Sequence, residues 1–257
     1  MKPFLSCLFA LTTVFTLSGK DMVKSGVWKW TELAVEKTAT GARRAIFEGE
    51  GADVSNMMVH ATTLNPGEAP HPPHTHTDLE ELIIVKEGLL KVTIAGETKV
   101  VGPGSVAVAL VGDEHGCSNA GDVPVTYYVL RYKSRWQQDS RGGREPRLTS
   151  RIIDEKDVAF AANPRGGWRG FFNGSTSTLR LFELHESTLM GGVQNHPVHT
   201  HNAEEMVIML DGHVDLEMNG IRYEGKPGDV YFIAANDPHT LFTHGDKPSR
   251  YFAFQWQ

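Results

Sequence analysis

The chain contains very little cysteine and no concentrated positive charge. Its 257 residues include two cysteines, Cys7 and Cys117. If the N-terminal segment that carries Cys7 is removed, no internal disulfide can form, so the fold must be stabilised without one. The formal net charge is −6, the pI is near 6.0, and no run of Lys or Arg is present. A nucleic-acid-binding surface needs a basic field, so we expect no nucleic-acid partner.

The apolar stretch at the start of the chain is too short for a comfortable membrane span. Residues 4–17 follow a lysine and end in small residues, whereas a spanning helix needs about 20 apolar residues. A charged start, a short apolar core and small residues are typical of a secretory signal peptide. We predict a signal peptide at residues 1–19, a secreted or periplasmic protein, and no further membrane contact. An uncleaved anchor, a mis-assigned start and a lipid on Cys7 are the alternatives.

The rest of the chain lacks a sustained 3.6-residue apolar period, so amphipathic helices are not expected. Instead, short segments rich in Val, Ile, Thr, Leu and Tyr are separated by Gly, Pro, Asp or Asn. Residues 89–94 end at Ala95-Gly96, and residues 213–218 end at Asn219-Gly220, a pattern that predicts two β-hairpins. The expected fold class is all-β, as a sandwich or a barrel.

The two halves of the sequence carry the same pattern. His-Thr-His at 74–76 recurs at 199–201, and a Glu pair with four apolar residues at 80–85 recurs at 204–209. The segments from the Glu pair onward match at a constant offset of 124, which predicts a duplicated domain. We place the first barrel at 20–135, a linker at 136–163 and the second barrel at 164–257. Residues 20 to about 45 are expected to lead into the first barrel.

Each half also carries three histidines and a glutamate with spacing suited to a metal site. Alternation along a strand would put the two histidines of a His-x-His unit on one face, about 7 Å apart. Buried together, neutral imidazoles and an ionised carboxylate need a cation. We predict one divalent transition metal per barrel, Mn, Fe, Co, Ni, Cu or Zn. The predicted ligands are His74, His76, Glu81 and His115 in the first barrel, and His199, His201, Glu205 and His239 in the second.

These residues resemble the two motifs of the cupin superfamily. His-x-His, Glu and Gly match the first motif at 74–88 and 199–212, and Pro-Gly followed by His matches the second at 103–115 and 227–239. The Gly before each His-x-His lies seven positions ahead of the first His, where the usual motif has six. The resemblance implies two tandem double-stranded β-helix barrels of the jelly-roll type. It leaves the reaction open, because cupins include dioxygenases, decarboxylases, isomerases, hydrolases and non-catalytic proteins.

Three residues beside the predicted metal sites are candidates for catalysis. His71 and His196 each precede the first histidine ligand by three residues, and Gln194 lies on the same rim as His196. Such groups could move protons next to a metal, or they could be exposed loop residues. The second half has more histidines, so we expect it to be the more active centre.

Four further residues occur as pairs at equivalent positions. Glu80 and Glu204 precede the predicted glutamate ligands, so they should point away from the ion, towards salt bridges or solvent. Tyr127 and Tyr251 fall in closing strands and are expected to pack in the barrel cores.

The leading functional hypothesis is a metal-dependent enzyme that acts on a small oxygen-rich substrate. A redox-active metal would support dioxygenase or decarboxylase chemistry, and a redox-inert role would support isomerisation or hydration of a sugar acid. The alternative is a non-catalytic module that binds a metal or a sugar. Sheet edges could also pair into a homo-oligomer.

Overall fold

The computed structural model describes residues 21–135 and 148–257. The predicted signal peptide and residues 136–147 of the predicted linker lie outside the described residues. Within these two ranges the chain forms twenty β-strands and one 3-10 turn at Glu155–Asp157, without an α-helix. Across the same ranges, no helix has the length and apolar character to cross a membrane. The all-β prediction is confirmed.

The strands occur in the same order and with similar lengths in the two halves. The strands of the first half are β1 (Gly26–Trp28), β2 (Glu36–Thr38), β3 (Gly41–Gly49), β4 (Val54–Leu64), β5 (Glu80–Glu87), β6 (Leu90–Ile94), β7 (Glu97–Val101), β8 (Val106–Ala109), β9 (His115–Asn119) and β10 (Val125–Ser134). Those of the second half are β11 (Arg151–Ile153), β12 (Ala161–Asn163), β13 (Gly166–Gly174), β14 (Phe182–Leu189), β15 (Glu204–Asp211), β16 (Val214–Met218), β17 (Ile221–Gly225), β18 (Val230–Ile233), β19 (His239–Thr243) and β20 (Ser249–Trp256).

Each barrel consists of a seven-stranded and a three-stranded antiparallel sheet. The first barrel has the strand orders β11-β8-β5-β10-β4-β3-β2 and β7-β6-β9. The second has the orders β1-β18-β15-β20-β14-β13-β12 and β17-β16-β19. The two sheets of a barrel enclose an apolar cluster between them, which gives the jelly-roll-like form expected from the sequence.

The two halves exchange their first strands. β1 pairs with β18 in the second barrel, and β11 pairs with β8 in the first. The expectation that residues 20–45 only lead into the first barrel is therefore corrected, and residues 151–153 of the predicted linker belong to the first barrel's sheet. The exchange covers the edges of β18 and β8, which would otherwise expose unpaired backbone groups. The other predicted boundaries stay predictions.

Both predicted hairpins are present, between β6 and β7 and between β16 and β17. Their turns contain Ala95 at φ 49° with Gly96 at φ 86°, and Asn219 at φ 52° with Gly220 at φ 74°. Two successive positive φ angles match the right-handed twist of the flanking strands, and Asn and Gly adopt them readily. Ala95 adopts a positive φ that is unfavourable for a residue with a Cβ, and Gly96 adopts the second positive φ of the turn without this cost.

Apolar side chains form three clusters, one inside each barrel and one between the barrels. Strand β10 shows the division, because Tyr127 packs inside the first barrel and Tyr128 packs between the barrels. Strands with two buried faces are near-continuously apolar, without a polar alternation. Tyr127 and Tyr251 are 2% and 1% exposed and lie in the two interior clusters, as expected from the sequence.

Glu80 and Glu204 are 0% and 1% exposed, so the expected contact with solvent is wrong. Glu204 accepts hydrogen bonds from the backbone N–H of Ala52, at 2.8 Å, and from Trp256 Nε1, at 3.0 Å. A Cβ at Gly51 would lie 2.3 Å from the Glu204 carboxylate, so a glycine lets the Ala52 loop come this close. The carboxylate of Glu204 thereby ties the second barrel to the first.

Replacement of Glu204 by alanine should destabilise the protein. It leaves the N–H of Ala52 and the buried Nε1 of Trp256 without their acceptor, so the free energy of unfolding should fall by about 2–4 kcal/mol. Urea unfolding measures this change. Glu224→Ala, at an exposed strand position, is the matched control and should stay within about 0.5 kcal/mol of the wild type. Equal stability of the two variants would contradict the role given to Glu204.

Candidate metal centres

The backbone brings each third histidine opposite the first. His74 and His115 exchange two backbone hydrogen bonds of 2.9 Å, and His199 and His239 exchange two of 3.2 and 3.0 Å. The His-x-His units were expected on strands, but each forms only an isolated bridge at its first histidine. Proline residues before each unit interrupt the strand pairing. In each barrel the isolated bridge still places the imidazoles of the first and third histidines side by side.

The four predicted ligands of the first barrel converge. Nε2 of His74 lies 3.0 Å from Nε2 of His76, and Glu81 oxygens lie 3.6 Å from Nε2 of His76 and 3.8 Å from Nε2 of His115. One donor atom from each of the four lies within 4.8 Å of the others. A single ion could therefore contact the whole set.

In the second barrel the three histidines converge in the same way, within 4.8 Å of one another. Glu205 lies 3.0 Å from Nε2 of His201 and 3.5 Å from Nε2 of His239. The carboxylate thus contacts two of the three histidines, but the 4.8 Å group consists of the three histidines alone, and His199 is its most exposed member.

Backbone carbonyls fix which histidine nitrogen faces each centre. Nδ1 of His115 donates to Asp113 O at 3.0 Å, and Nδ1 of His239 donates to Asp237 O at 2.9 Å. Because a carbonyl oxygen only accepts, Nδ1 carries the proton and Nε2 keeps its lone pair. This arrangement orients metal-binding histidines in known sites.

The exchanged strands anchor these same aspartates. Ser150 Oγ, just before β11, donates to Asp113 Oδ2 at 2.5 Å, and Ser25 Oγ, just before β1, donates to Asp237 Oδ2 at 2.5 Å. Each serine therefore fixes a loop that orients a histidine of the other half's barrel.

Both glutamates are ionised at neutral pH. Burial by itself would raise the pKa of Glu81, but the nearby imidazole of His76 and the charge of Arg131 lower this pKa to about 2. Burial also opposes ionisation of Glu205, but the hydrogen bond from His201 and the neighbouring imidazole of His239 lower its pKa to about 2. Each centre therefore has the negative ligand that a divalent cation needs.

His74 and His199 are held neutral, as metal binding requires. Burial and neighbouring histidines lower the pKa of His74 to about 4, and the same causes lower the pKa of His199. His201 differs, because its hydrogen bond with Glu205 raises its pKa. Protons and a metal thus compete for Nε2 of His201.

Two buried nitrogen atoms provide a test of whether a metal fits. Within the described ranges, Nε2 of His115 and Nε2 of His239 have no hydrogen-bond partner, and both side chains are nearly inaccessible, at 3% and 1% exposed. An unpartnered buried polar atom is unfavourable. A cation among the ligands would satisfy both atoms, so the two sets fit a metal, and mixed nitrogen and oxygen donors suit the divalent transition metals.

A cavity of about 260 Å³ in the first barrel reaches the candidate metal centre. Its walls include Glu81 and His115 together with Arg43, His60 and Arg131, three residues that the sequence reasoning missed. Arg131 Nε lies 2.6 Å from Glu81 Oε2. The available signal was an arginine inside the apolar run 125–132, since a charge in a buried strand needs a partner.

The second barrel has a cavity of a different kind. It measures about 280 Å³ and is lined by Trp168, His185 and Asn195, and none of the predicted ligands is among its described lining residues. That the second barrel is the more active centre stays a prediction.

The three predicted catalytic residues lie close to the ligands but in different settings. His71 is exposed, lines the first cavity, and has its ring centroid 4.4 Å from that of His74. His196 is half-buried, with its ring centroid 4.1 Å from that of His199. Gln194 donates to Thr240 Oγ1 at 3.1 Å. Their catalytic role stays a prediction.

A family comparison agrees with this geometry. The Cupin domain family matches residues 60–131 and 185–254, which together make up more than half of the chain. The chain belongs to the cupin family. Each matched range contains one complete candidate ligand set of this cupin.

Solved structures resemble this cupin over most of its length. Protein Ylba from E. coli is 12% identical, with 91% of both chains covered and a TM-score of 0.69. Oxalate decarboxylase from Lactobacillus farciminis, solved as a formate complex, is 12% identical, with 91% of this chain and 86% of that chain covered and a TM-score of 0.65. Hazelnut vicilin, from Corylus avellana, is 12% identical, with 90% and 85% covered and a TM-score of 0.62. These likenesses show the fold alone. No curated protein matches the chain.

Removal of one ligand pair should remove one ion. Elemental analysis of the purified wild type should give two divalent ions per chain, and His199→Ala with His201→Ala should give one. The variant His74→Ala with His76→Ala is the matched partner and should also give one. Unchanged metal content in either double variant would reject the ligand set in that barrel.

Proposed function

We propose that this cupin is a metal-dependent enzyme whose active site is the first barrel and whose substrate is a small, oxygen-rich carboxylate. The observation that carries the proposal is the cavity in which Arg43 and Arg131 accompany Glu81 and His115. Its volume of about 260 Å³ lies below the roughly 300–1,000 Å³ of pockets for drug-sized ligands. A small substrate is therefore the best fit.

The charges of the cavity favour an anion. When bound by the first ligand set, a divalent cation supplies Lewis-acid stabilisation of negative charge on a substrate oxygen. Arg43 and Arg131 add two guanidinium groups, which hold carboxylates through paired hydrogen bonds. Burial, followed by the charges of these arginines, lowers the pKa of His60 to about 4. His60 is therefore neutral at neutral pH, and the arginines provide the positive charge.

His71 is the candidate for proton transfer. Its Nδ1 lies 3.0 Å from the carbonyl oxygen of Pro72, so Nδ1 is the donor and Nε2 is left to accept a proton. Its exposed position lets it exchange protons with solvent. We assign His71 the acid/base role, with the proton held at Nε2.

Two other reactive side chains of the cavity have a packing role. Burial raises the pKa of Cys117 to about 11, and burial also raises the pKa of Tyr127 far above its ordinary value. Cys117 Sγ lies 3.4 Å from the Tyr127 hydroxyl. Because neither group is ionised at neutral pH, neither is a nucleophile. Together with Val129 and Ile83 they line one wall of the cavity.

Decarboxylation and dioxygenation of a carboxylate are the two reactions that we favour. The structurally similar protein from Lactobacillus farciminis is named for oxalate decarboxylation and was solved with formate, and this agrees with a carboxylate substrate on this fold. The two reactions differ in gas exchange, because decarboxylation releases CO₂ and dioxygenation consumes O₂.

Turnover should require a carboxylate and the first barrel's arginines. We expect metal-loaded protein to turn over a carboxylate among oxalate, hydroxy acids and uronates, with CO₂ release or O₂ uptake as the readout, and to leave neutral diols and flavonoids unchanged. Arg43→Met should lower kcat/KM about 10- to 100-fold, since a hydrogen bond to a charged group is worth about 1.5–3 kcal/mol.

The matched control is Arg165→Met. Arg165 lines the cavity of the second barrel, so its loss should leave kcat/KM unchanged. An equal decrease of kcat/KM in the two variants would contradict the assignment of the active site to the first barrel. An absence of turnover with every compound would reject the enzymatic function and favour the alternative hypothesis of a non-catalytic binding module.

We also propose that residues 1–19 direct export of the protein. The proposal is supported by the lysine at position 2 and the apolar stretch at residues 4–17. N-terminal sequencing of protein from the periplasm or medium should give Lys20 as the first residue. A variant without residues 2–19 is the control and should stay in the cytoplasm. Protein that keeps Met1 and remains in the cytoplasm would contradict export.

A further inference from the structure

The two candidate ligand sets are alike, but a different residue donates to each glutamate. Glu81 lies opposite Arg131 in the register of β5 and β10, and Glu205 lies opposite Gln255 in the register of β15 and β20. Arg131 Nε lies 2.6 Å from Glu81 Oε2, and Gln255 Nε2 lies 3.2 Å from Glu205 Oε2. A full positive charge therefore contacts one candidate ligand, and a neutral amide contacts the other.

The distances between each carboxylate and its neighbouring histidines also differ between the two barrels. Oxygens of Glu81 lie 3.6 and 3.8 Å from the nearest Nε2 atoms of its two neighbouring histidines. The corresponding distances of Glu205 are 3.0 and 3.5 Å. The shortest of these distances is the hydrogen bond between His201 and Glu205, and within the described ranges no arginine forms an ion pair with Glu205.

The difference in charge weakens the first site for a cation. The guanidinium group of Arg131 occupies a lone pair on Glu81 Oε2, which an ion would otherwise use. It also adds a like charge close to the ion in a partly buried environment, where repulsion is poorly screened. Arg43, in the same cavity, adds a second positive charge, and its equivalent position in the second barrel is occupied by Trp168. Changes in the groups that contact metal ligands typically alter metal affinity 10- to 100-fold.

We propose that the second barrel binds a divalent cation more tightly than the first, and that Arg131 sets this difference. The second barrel then retains its ion, while the first barrel exchanges its ion with solution. The inference needs only the two ligand sets, and it holds whether or not the first barrel catalyses a reaction.

A manganese titration tests the inequality. The full chain is freed of metal with a chelator and titrated with Mn²⁺, and free Mn²⁺ is followed by electron paramagnetic resonance. We expect two classes of site whose dissociation constants differ by at least about tenfold. The variant His199→Ala with His201→Ala should keep only the weak class, and the variant His74→Ala with His76→Ala should keep only the tight class.

Reciprocal substitutions test the role of Arg131. Arg131→Gln reproduces the second barrel's amide and should tighten the weak class by about tenfold or more. Gln255→Arg introduces the charge in the second barrel and should weaken the tight class by a similar factor. Arg131→Lys keeps the positive charge and should leave the weak class weak. Circular dichroism of each metal-free variant checks the fold, and Arg131→Gln alone decides the outcome if Gln255→Arg does not fold.

Three results would overturn the proposal. They are a single class of site in the wild type, a weak class that is lost with the second barrel's histidines, and an unchanged weak class in Arg131→Gln. Because the readout is free Mn²⁺, a failure to find a carboxylate substrate would leave this result unaffected, and the two proposals can fail separately.

Discussion

Each barrel is organised around one buried, ionised glutamate that faces imidazoles. Burial favours the neutral carboxyl group, so the charge on Glu81 and Glu205 persists only because hydrogen bonds and positive charge surround it. Other parts of each barrel position the imidazoles around this glutamate. Backbone bridges bring sequence-distant histidines together, and backbone carbonyls fix their tautomers. Apolar clusters beside the centre lower the local dielectric, which strengthens every electrostatic contact in it.

The duplicated halves keep the same donors and differ in what surrounds them. Strand pairing places Arg131 beside one glutamate and Gln255 beside the other, and the strand position of Arg43 in the first barrel is taken by Trp168 in the second. These substitutions change the charge and the cavity without altering a single candidate ligand. Two centres with one ligand chemistry can therefore have different tasks within a chain.

The sequence was informative where the pattern is local and repeated. The repeat, at an offset of 125 for the His-x-His units and 124 from the Glu pair onward, located both ligand sets, and the pairs at Ala95-Gly96 and Asn219-Gly220 located both hairpins. It was less informative where a contact depends on register between distant strands. Arg131 meets Glu81 only because β10 pairs with β5.

Contacts between the barrels were also invisible in the pattern. Glu204 follows the alternation of its strand, but its burial depends on the loop of Ala52 from the other half. The exchanged strands β1 and β11 have three residues each, too few for a periodic signal. A cavity is likewise a property of packed strands, so the sequence pattern could not show that Arg43 and His60 line one together with Glu81.

The strand exchange affects the order in which the molecule can be completed as it is synthesised. Residues of β1 leave the ribosome long before β18, the strand on which they dock, and the sheet of the first barrel has an open edge until β11 emerges. A nascent chain that ends within residues 136–147 therefore has one sheet lacking an edge strand and one strand lacking a sheet. The sheet of the first barrel can be completed once β11 has emerged, whereas β1 must wait for β18 of the second repeat.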